Sequence, residues 1–314
     1  MTRIMVAESS PAMVDPRRND NQRGARRGAR RATEGGAPLK ILVSMKRVAD
    51  PDNANKVKIT GDGAEVSSEG LEWKPNPFDE YAVEAALRLA EDAGTGKLRG
   101  EVVVATIGPD DVTQQVRQCL AMGANRGIIV SGEDVELDAT VVARTFQKLV
   151  EKEQPDLVLM GKQAVDGDSN QAAQILAELL DWPQATFAGH IETPADFDHA
   201  VVTREVDGGA AKVKVGFPAV ISVDLRIVSP EGVNNNVSPA DKPYQDGPRY
   251  ASLRGIMKAK KKPIDKHTLA DLGVDTTTRV STLSFAQPPA RQAGVIVETV
   301  PELVQKLKDE AKVL

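Results

Sequence analysis

The sequence predicts a doubly wound α/β fold built on a mostly parallel sheet. Three observations predict it. Short apolar runs (Ile41–Val48, Glu101–Ile107, Gly127–Val130, Asp156–Met160) alternate with helical patterns of roughly 10–15 residues. These runs are apolar almost throughout, as strands covered on both faces require. They stop at Gly or Pro punctuation, such as Gly108-Pro109 and Gly161. A chain of 314 residues forms one large domain or two small ones, and at this length a core needs no disulfide or metal to support it.

The elements follow in order. Ile41–Val48 reads as a buried strand, and Val57–Val66 as a hairpin turning at Gly61-Asp62-Gly63. Asn76-Pro77 opens a helix: Asn suits the cap, Pro the first helical position, and Asp79 and Glu80 the positive end of the dipole. Phe78, Ala82, Ala85, Ala86 and Leu89 form its buried stripe. Strand Glu101–Ile107 leads to a helix at Asp111–Met122, and strand Gly127–Val130 to a helix at Asp138–Glu153. Strand Asp156–Met160 runs into the Gly161 loop and then a helix to Leu180. Beyond Trp182-Pro183 the pattern changes. Ala200–Val206 and Lys212–Val215 read as a hairpin around Gly208-Gly209, and Pro218–Leu225 as an apolar strand. Ser229–Asp246, rich in Pro and Asn, is expected to be a loop. Ser252–Lys260 reads as a helix, Pro263–Pro289 as mostly irregular, and Pro301–Lys312 as a short amphipathic helix.

Aromatic residues make up only 4% of the chain, so the core is expected to be Val, Leu, Ile and Ala. The single cysteine, Cys119, excludes an internal disulfide and fits a reducing compartment. His190, His199 and His267 are scattered and argue against a zinc site. No apolar run approaches the ~18 residues of a membrane span. Net charge is −5, and residues 1–37 hold eight Arg and four acids, so the rest of the chain is the more acidic part. An acidic body argues against nucleic-acid binding. Residues 1–38 are expected to be a disordered Arg-rich extension. Their four acids separate them from an Arg-rich transit peptide and favour an early start codon or an unstructured tail.

Ligands in open α/β sheets sit beyond the carboxyl ends of the strands. Three loops qualify: Ser44–Arg47, Gly108–Asp111 and Gly161–Gln171. In the last, a helix is expected from near Ser169, capped by Asp168 or Ser169, with free amides that can receive a phosphate. Asn170 and Gln171 add neutral donors, whereas Asp166 and Asp168 repel a phosphate unless Lys162 or the amides dominate. The loop is neither a Walker A sequence nor GxGxxG. An ordinary capped turn and a nucleotide cradle both fit it.

The strings NPFDEYAVEAALRL, LAMGANRG, DLVLMGKQAVDGDSNQ, LDWPQATFA, REVDGG, PAVISVDLR and PRYASLRGIMKAKKK occur in one order and spacing. From about Leu39 to Leu314 the chain resembles the beta subunits of electron-transfer flavoproteins. The resemblance implies an adenine-nucleotide-binding, universal-stress-like sheet over 39–262. It implies a C-terminal arm over 263–314 packed on an alpha subunit. It further implies a heterodimer whose alpha subunit carries the redox FAD while this chain holds a structural AMP. The family's AMP positions match Ser44, Asn76, Pro77, Phe78, Asp79, Ile107, Gly161, Lys162, Gln163, Ala164, Val165, Asp166, Gly167, Asp168, Ser169, Asn170, Gln171 and Ala172. Ala172 stands where the family often has Thr, and Ser44 where it has a small apolar residue. Phe78 matches an aromatic that lies against the partner's FAD, and Glu205 a residue that holds the alpha subunit's FAD domain.

Pro248–Lys262 resembles the loop that docks on acyl-CoA dehydrogenases and related flavoenzymes of fatty acid β-oxidation. Leu253 matches its apolar anchor, with Arg249, Tyr250, Met257, Lys258 and Lys261 around it. Ser229–Asp246 is longer than the family's usual connection, and either reshapes the docking face or projects as a flap. The resemblance implies an electron carrier without catalysis of its own, a role that needs no acid, base or nucleophile, and no Ser/His/Asp or Cys/His arrangement stands out in the sequence. Its expected place is the bacterial cytoplasm, or the mitochondrial matrix in a eukaryote. Two alternatives are a bifurcating relative with a second redox FAD in place of AMP, and a stand-alone nucleotide-sensing module of the universal-stress type.

Overall fold

A computed structural model describes residues 39–133, 137–239, 241, 244–287, 289 and 294–314. The extension expected at 1–38 lies outside the described residues. The described chain divides into two compact units, one of residues 68–281 with the strand region before Lys58, the other of 58–67 with 282–314.

In the larger unit, β1 (Leu39–Ser44) and β2 (Arg47–Ala49) stand where one strand is expected. The smaller unit holds β3 (Lys58–Ile59) and β4 (Val66–Ser67), the expected hairpin. Back in the larger unit, β5 (Trp73–Pro75) pairs with β2 and leads into α1 (Pro77–Ala90). A small hairpin, β6 (Glu91–Asp92) and β7 (Lys97–Leu98), precedes β8 (Gly100–Gly108). Then come α2 (Thr113–Met122), β9 (Arg126–Ser131), α3 (Ala139–Glu153), β10 (Leu157–Gly161) and α4 (Ala172–Leu180). The rest of this unit is β11 (Gln184–Glu192), β12 (His199–Val206), β13 (Gly209–Gly216), β14 (Ala219–Val223), β15 (Val233–Asn234), α5 (Leu253–Ala259) and β16 (Ile264–Thr268).

Among the described residues the main sheet has ten strands in the order β13-β12-β11-β14-β10-β1-β8-β9-β16, with β15 beside β11. From β11 to β16 every pairing is parallel, and the β12–β13 hairpin is antiparallel. Successive strand side chains point to opposite faces, which explains the near-continuous apolar runs. Ile41, Val43, Val102, Val104, Leu157 and Leu159 pack under α1 and α2. Their neighbours Leu42, Val103, Ala105 and Val158 pack under α3 and α4. Both cores are aliphatic, as the composition predicts.

Two local expectations need correction, and one strand is not anticipated by the sequence. Ile264–Thr268, expected to be irregular, is the edge strand β16. Its sequence IDKHT has no apolar run because an edge strand has one neighbour and a wet side, and register with Gly127–Ser131 defines it. Gln184–Glu192 is a strand, although its small and polar residues (QATFAGHIE) carry no clear pattern. The helix after Gly161 starts at Ala172 rather than near Ser169. Asp168 and Asn170 take left-handed φ values of 50° and 48°, which end any helical path through them.

In the smaller unit, Phe285 N–H donates to the Gly63 carbonyl at 2.8 Å, beside the β3–β4 turn. The helix α6 (Val300–Asp309) is capped by Thr299, which accepts from Glu302 N–H, and carries Pro in its first turn. Among the described residues no helix is long and apolar enough to cross a membrane.

Candidate functional site

Two side chains at the start of α1 draw two of the three strand-end loops, Ser44–Arg47 and Gly161–Gln171, into one rim. Asp79 is buried at 5% exposure. Its carboxylate accepts from Lys46 N–H at 2.8 Å, Gly161 N–H at 3.0 Å and the Ser44 hydroxyl at 3.4 Å. Asn76 is buried as well. Its amide donates to the Gln163 carbonyl at 2.9 Å and accepts from Val165 N–H at 3.1 Å. Asn76 therefore does not cap α1 with its side chain. It is spent on the Gly161 loop, and Pro77 with the acidic first turn starts the helix instead.

The loop closes a turn at Ala164, whose carbonyl accepts from Gly167 N–H (3.2 Å) and Asp168 N–H (2.9 Å). Asp166 pairs with Lys46 at 2.7 Å, and Asp168 accepts from Gln163 Nε2 at 2.7 Å. Lys162 pairs with Asp224 at 2.7 Å and lies 5.0 Å from the centroid of the buried Phe78 ring and 5.7 Å from that of Phe187. Asn170 accepts from Gln174 Nε2. Gln171 stands at the helix cap without a side-chain hydrogen bond, leaving the first-turn amides from Ala172 onward uncapped by any side chain. Ser169 and Gln171 are exposed. Ile107 sits apart from this polar rim, buried in the α3–α4 core at the end of β8.

The sequence reading missed Lys46, Asp224 and Phe187 as members of the site. Only a Lys-Arg pair after the first strand marks Lys46. Asp224 is 62 residues from Lys162, and no spacing rule connects them.

Burial pushes the Asp79 carboxyl up to about 6, against the opposing hydrogen bonds from Lys46, Asn76, Gly161 and Ser44. The folded state thus holds this proton more tightly than the unfolded chain, whose value is 3.8. Stability from this group is greatest below pH ~4 and falls as pH rises to ~6, by on the order of 3 kcal/mol. Asp79→Asn is expected to remove that fall. Denaturant titrations from pH 4 to 7 should show the wild type losing stability relative to the variant, and parallel curves would refute the assignment.

A second surface lies on α5. Ser252 caps it by accepting from Gly255 N–H at 3.0 Å. Leu253 and Met257, one turn apart on α5, are 79% and 59% exposed, and Tyr250, just before the helix, is 96% exposed. Lys258 and Lys261 are exposed beside it. Lys262 instead turns inward and donates to the carbonyls of Leu120, Gly123 and Ala124 at the end of α2. Arg117 of α2 returns the arrangement by donating to the carbonyls of Ala259 and Lys262 at 2.6 Å. Arg249 also turns inward, onto Glu84 and Glu91 of the α1 end. Glu205 pairs with Arg226.

The described residues of Ser229–Asp246 do not project as a flap. Buried Arg88 donates to the carbonyls of Val228, Ser229, Gln245 and Gly247, so one guanidinium holds both stems. Asn235, also buried, donates to the carbonyls of Arg88 and Glu91.

The chain is similar to known proteins over most of its length. The sequence profile of the Electron transfer flavoprotein domain matches residues 64–302. The chain is 48% identical over 277 residues to "Electron transfer flavoprotein subunit beta" of Bradyrhizobium diazoefficiens, across 88% of this chain and 100% of that one. It is 43% identical over 276 residues to "Electron transfer flavoprotein subunit beta, mitochondrial" of Arabidopsis thaliana, with the same two coverages. It is 43% identical over 280 residues to the human subunit beta, again across 88% and 100%. With the parallel sheet, its strand-end rim and full-length agreement with these relatives in hand, we place the chain in the electron transfer flavoprotein beta-subunit family.

Proposed function

We propose that this chain is the beta partner of a heterodimeric electron carrier, holding a structural AMP at the Gly161 rim and docking flavoenzymes of the acyl-CoA dehydrogenase type through α5. It has no catalytic step of its own. The FAD, held mainly by the alpha subunit, supplies the redox chemistry when bound; this chain orients, shields and docks. The observation that carries the reading is the rim itself, in which Asn76 and Asp79 lock the loop that leads to the uncapped amides of α4. Such amides favour an anion by roughly 0.3–2 kcal/mol. Asp166 is offset by Lys46, whereas Asp168, hydrogen-bonded to the neutral Gln163, keeps its charge and Lys162 is paired with Asp224, so the attraction for a phosphate has to come from the α4 amides. Phe78 lies buried under Lys162 beside the same rim, and its contact with the partner's flavin is taken from the family resemblance. Exposed apolar residues beside Lys258 and Lys261 suit a weak, steered, rapidly released partner.

The test is co-expression with the alpha subunit and mass analysis of the ligands released from the purified heterodimer. One flavin and one AMP per heterodimer is the expected result. Two flavins without AMP would point instead to the bifurcating form.

A further inference from the structure

The residue before the exposed docking row, Arg249, is half-buried and turned back onto two carboxylates of the fold. Arg249 donates from Nε to Glu84 at 2.7 Å, from Nη1 to Glu91 at 2.9 Å, and from Nη2 to Glu84 and Glu91 at 3.2 and 2.9 Å. Its backbone N–H also reaches Glu84, at 3.2 Å. Four of the five guanidinium donors are thus engaged inside the fold, in a planar geometry that only Arg can satisfy. Glu84, 2% exposed, is held in turn by Arg88 Nε at 2.7 Å. Both carboxylates stand on the final turns of α1 or just past them, the helix whose first turn carries Asp79.

We propose that Arg249 is a positioning residue for docking: with Glu84, Arg88 and Glu91 it fixes the direction in which Tyr250 and Leu253 leave the fold. The pair Arg117–Lys262 fixes the other end of α5 against α2. Leu253 and Met257 stand on a seven-residue helix and Tyr250 on the irregular segment just before it; so short an element has little packing of its own to orient the row, and its geometry comes from these two anchors. Preorganisation of this kind raises affinity by removing the ordering cost at encounter. The long connection before it is closed at its base, since Arg88 brings its two stems together and Gly247 N–H closes onto Val228 O at 3.0 Å.

This inference rests on the docking role proposed for α5, and the experiment separates the two. Stopped-flow reduction of the complete heterodimer by a substrate-reduced acyl-CoA dehydrogenase is measured across dehydrogenase concentrations. Arg249→Met is expected to raise the half-saturating concentration about tenfold while the limiting rate stays within about twofold, because the contacts survive and only their presentation is lost. Arg249→Lys, which keeps one charged donor, should recover part of the loss, and Glu91→Gln should show a smaller loss in the same direction. Leu253→Ala should slow reduction by about tenfold at low dehydrogenase concentration without impairing heterodimer formation. If Leu253→Ala has no effect, the docking role of α5 is wrong. If Leu253→Ala slows the reaction but Arg249→Met and Glu91→Gln leave half-saturation unchanged, positioning by Arg249 is wrong. Should Arg249→Met fail to assemble, Glu91→Gln alone decides the matter by the same readout.

Discussion

Gly161→Ala is expected to lower nucleotide occupancy of the heterodimer sharply and to destabilise the fold by at least about 1–3 kcal/mol. A Cβ at this position would lie 2.5 Å from Asp79 Oδ1 and 2.8 Å from both the carbonyl carbon and the Cβ of Phe78. None of these atoms is the free end of a long side chain. Phe78 and Asp79 are buried in the first turn of α1, so relief requires β10 and α1 to separate. That separation breaks the Gly161–Asp79 hydrogen bond and releases the loop from the helix. Gly216→Ala, outside the rim, is the matched control, since a Cβ there meets nothing within 4 Å. Thermal melts and ligand release from both variants check the contrast. Equal behaviour of the two would show that the close approach of β10 to α1 does not shape the site.

Arg88→Met is expected to cost about 3–5 kcal/mol, the usual penalty for breaking a buried charge pair. Arg88 is 1% exposed and bonds one carboxylate and four carbonyls. Its loss leaves those carbonyls without their charged donor and Glu84 with Arg249 as its remaining ion-pair partner. The Tyr244 ring, 4.6 Å from the guanidinium, loses a cation contact as well. Melting should fall on the order of 10 °C, and backbone hydrogen exchange should quicken within 229–247. Arg226→Met is the comparison. That side chain is 68% exposed in its pair with Glu205, and exposed pairs contribute about 1 kcal/mol or less. A similar loss in both variants would count against a special role for burial at Arg88.

How far the sequence could be read depended on how local each signal was. The strands β1, β8, β9 and β10 were legible because burial on both faces demands unbroken Val, Ile and Leu. The strands β11 and β16 were not. Their sequences are mixed or polar, and each is a strand because a neighbour offers hydrogen bonds in register. The Gly161 loop was legible as a strand-to-helix turn, but its acids suggested repulsion toward a phosphate. That expectation set Asp166 and Asp168 against Lys162; in the fold Lys46, 120 residues away, offsets Asp166, while Lys162 is paired with Asp224. Asn76 was legible as a helix cap by type and position, yet its side chain is claimed by Gln163 and Val165. Arg249 belonged to the docking string by order alone, and only packing reveals that it faces inward.

The sequence by itself determined the parallel α/β class, the aliphatic two-sided core and membership of the electron transfer flavoprotein beta-subunit family. Each of these is written in periodicity, composition or a contiguous string, which survive without any fold. Tertiary structure decided which polar groups meet: Asp79 with Lys46 and Gly161, Lys162 with Asp224, Arg88 with both stems of the long connection, and Arg249 with Glu84 and Glu91. Electrostatic and hydrogen-bond partners are chosen by distance in space. Chain separation carries no information about that distance until the sheet and helices have brought the groups together.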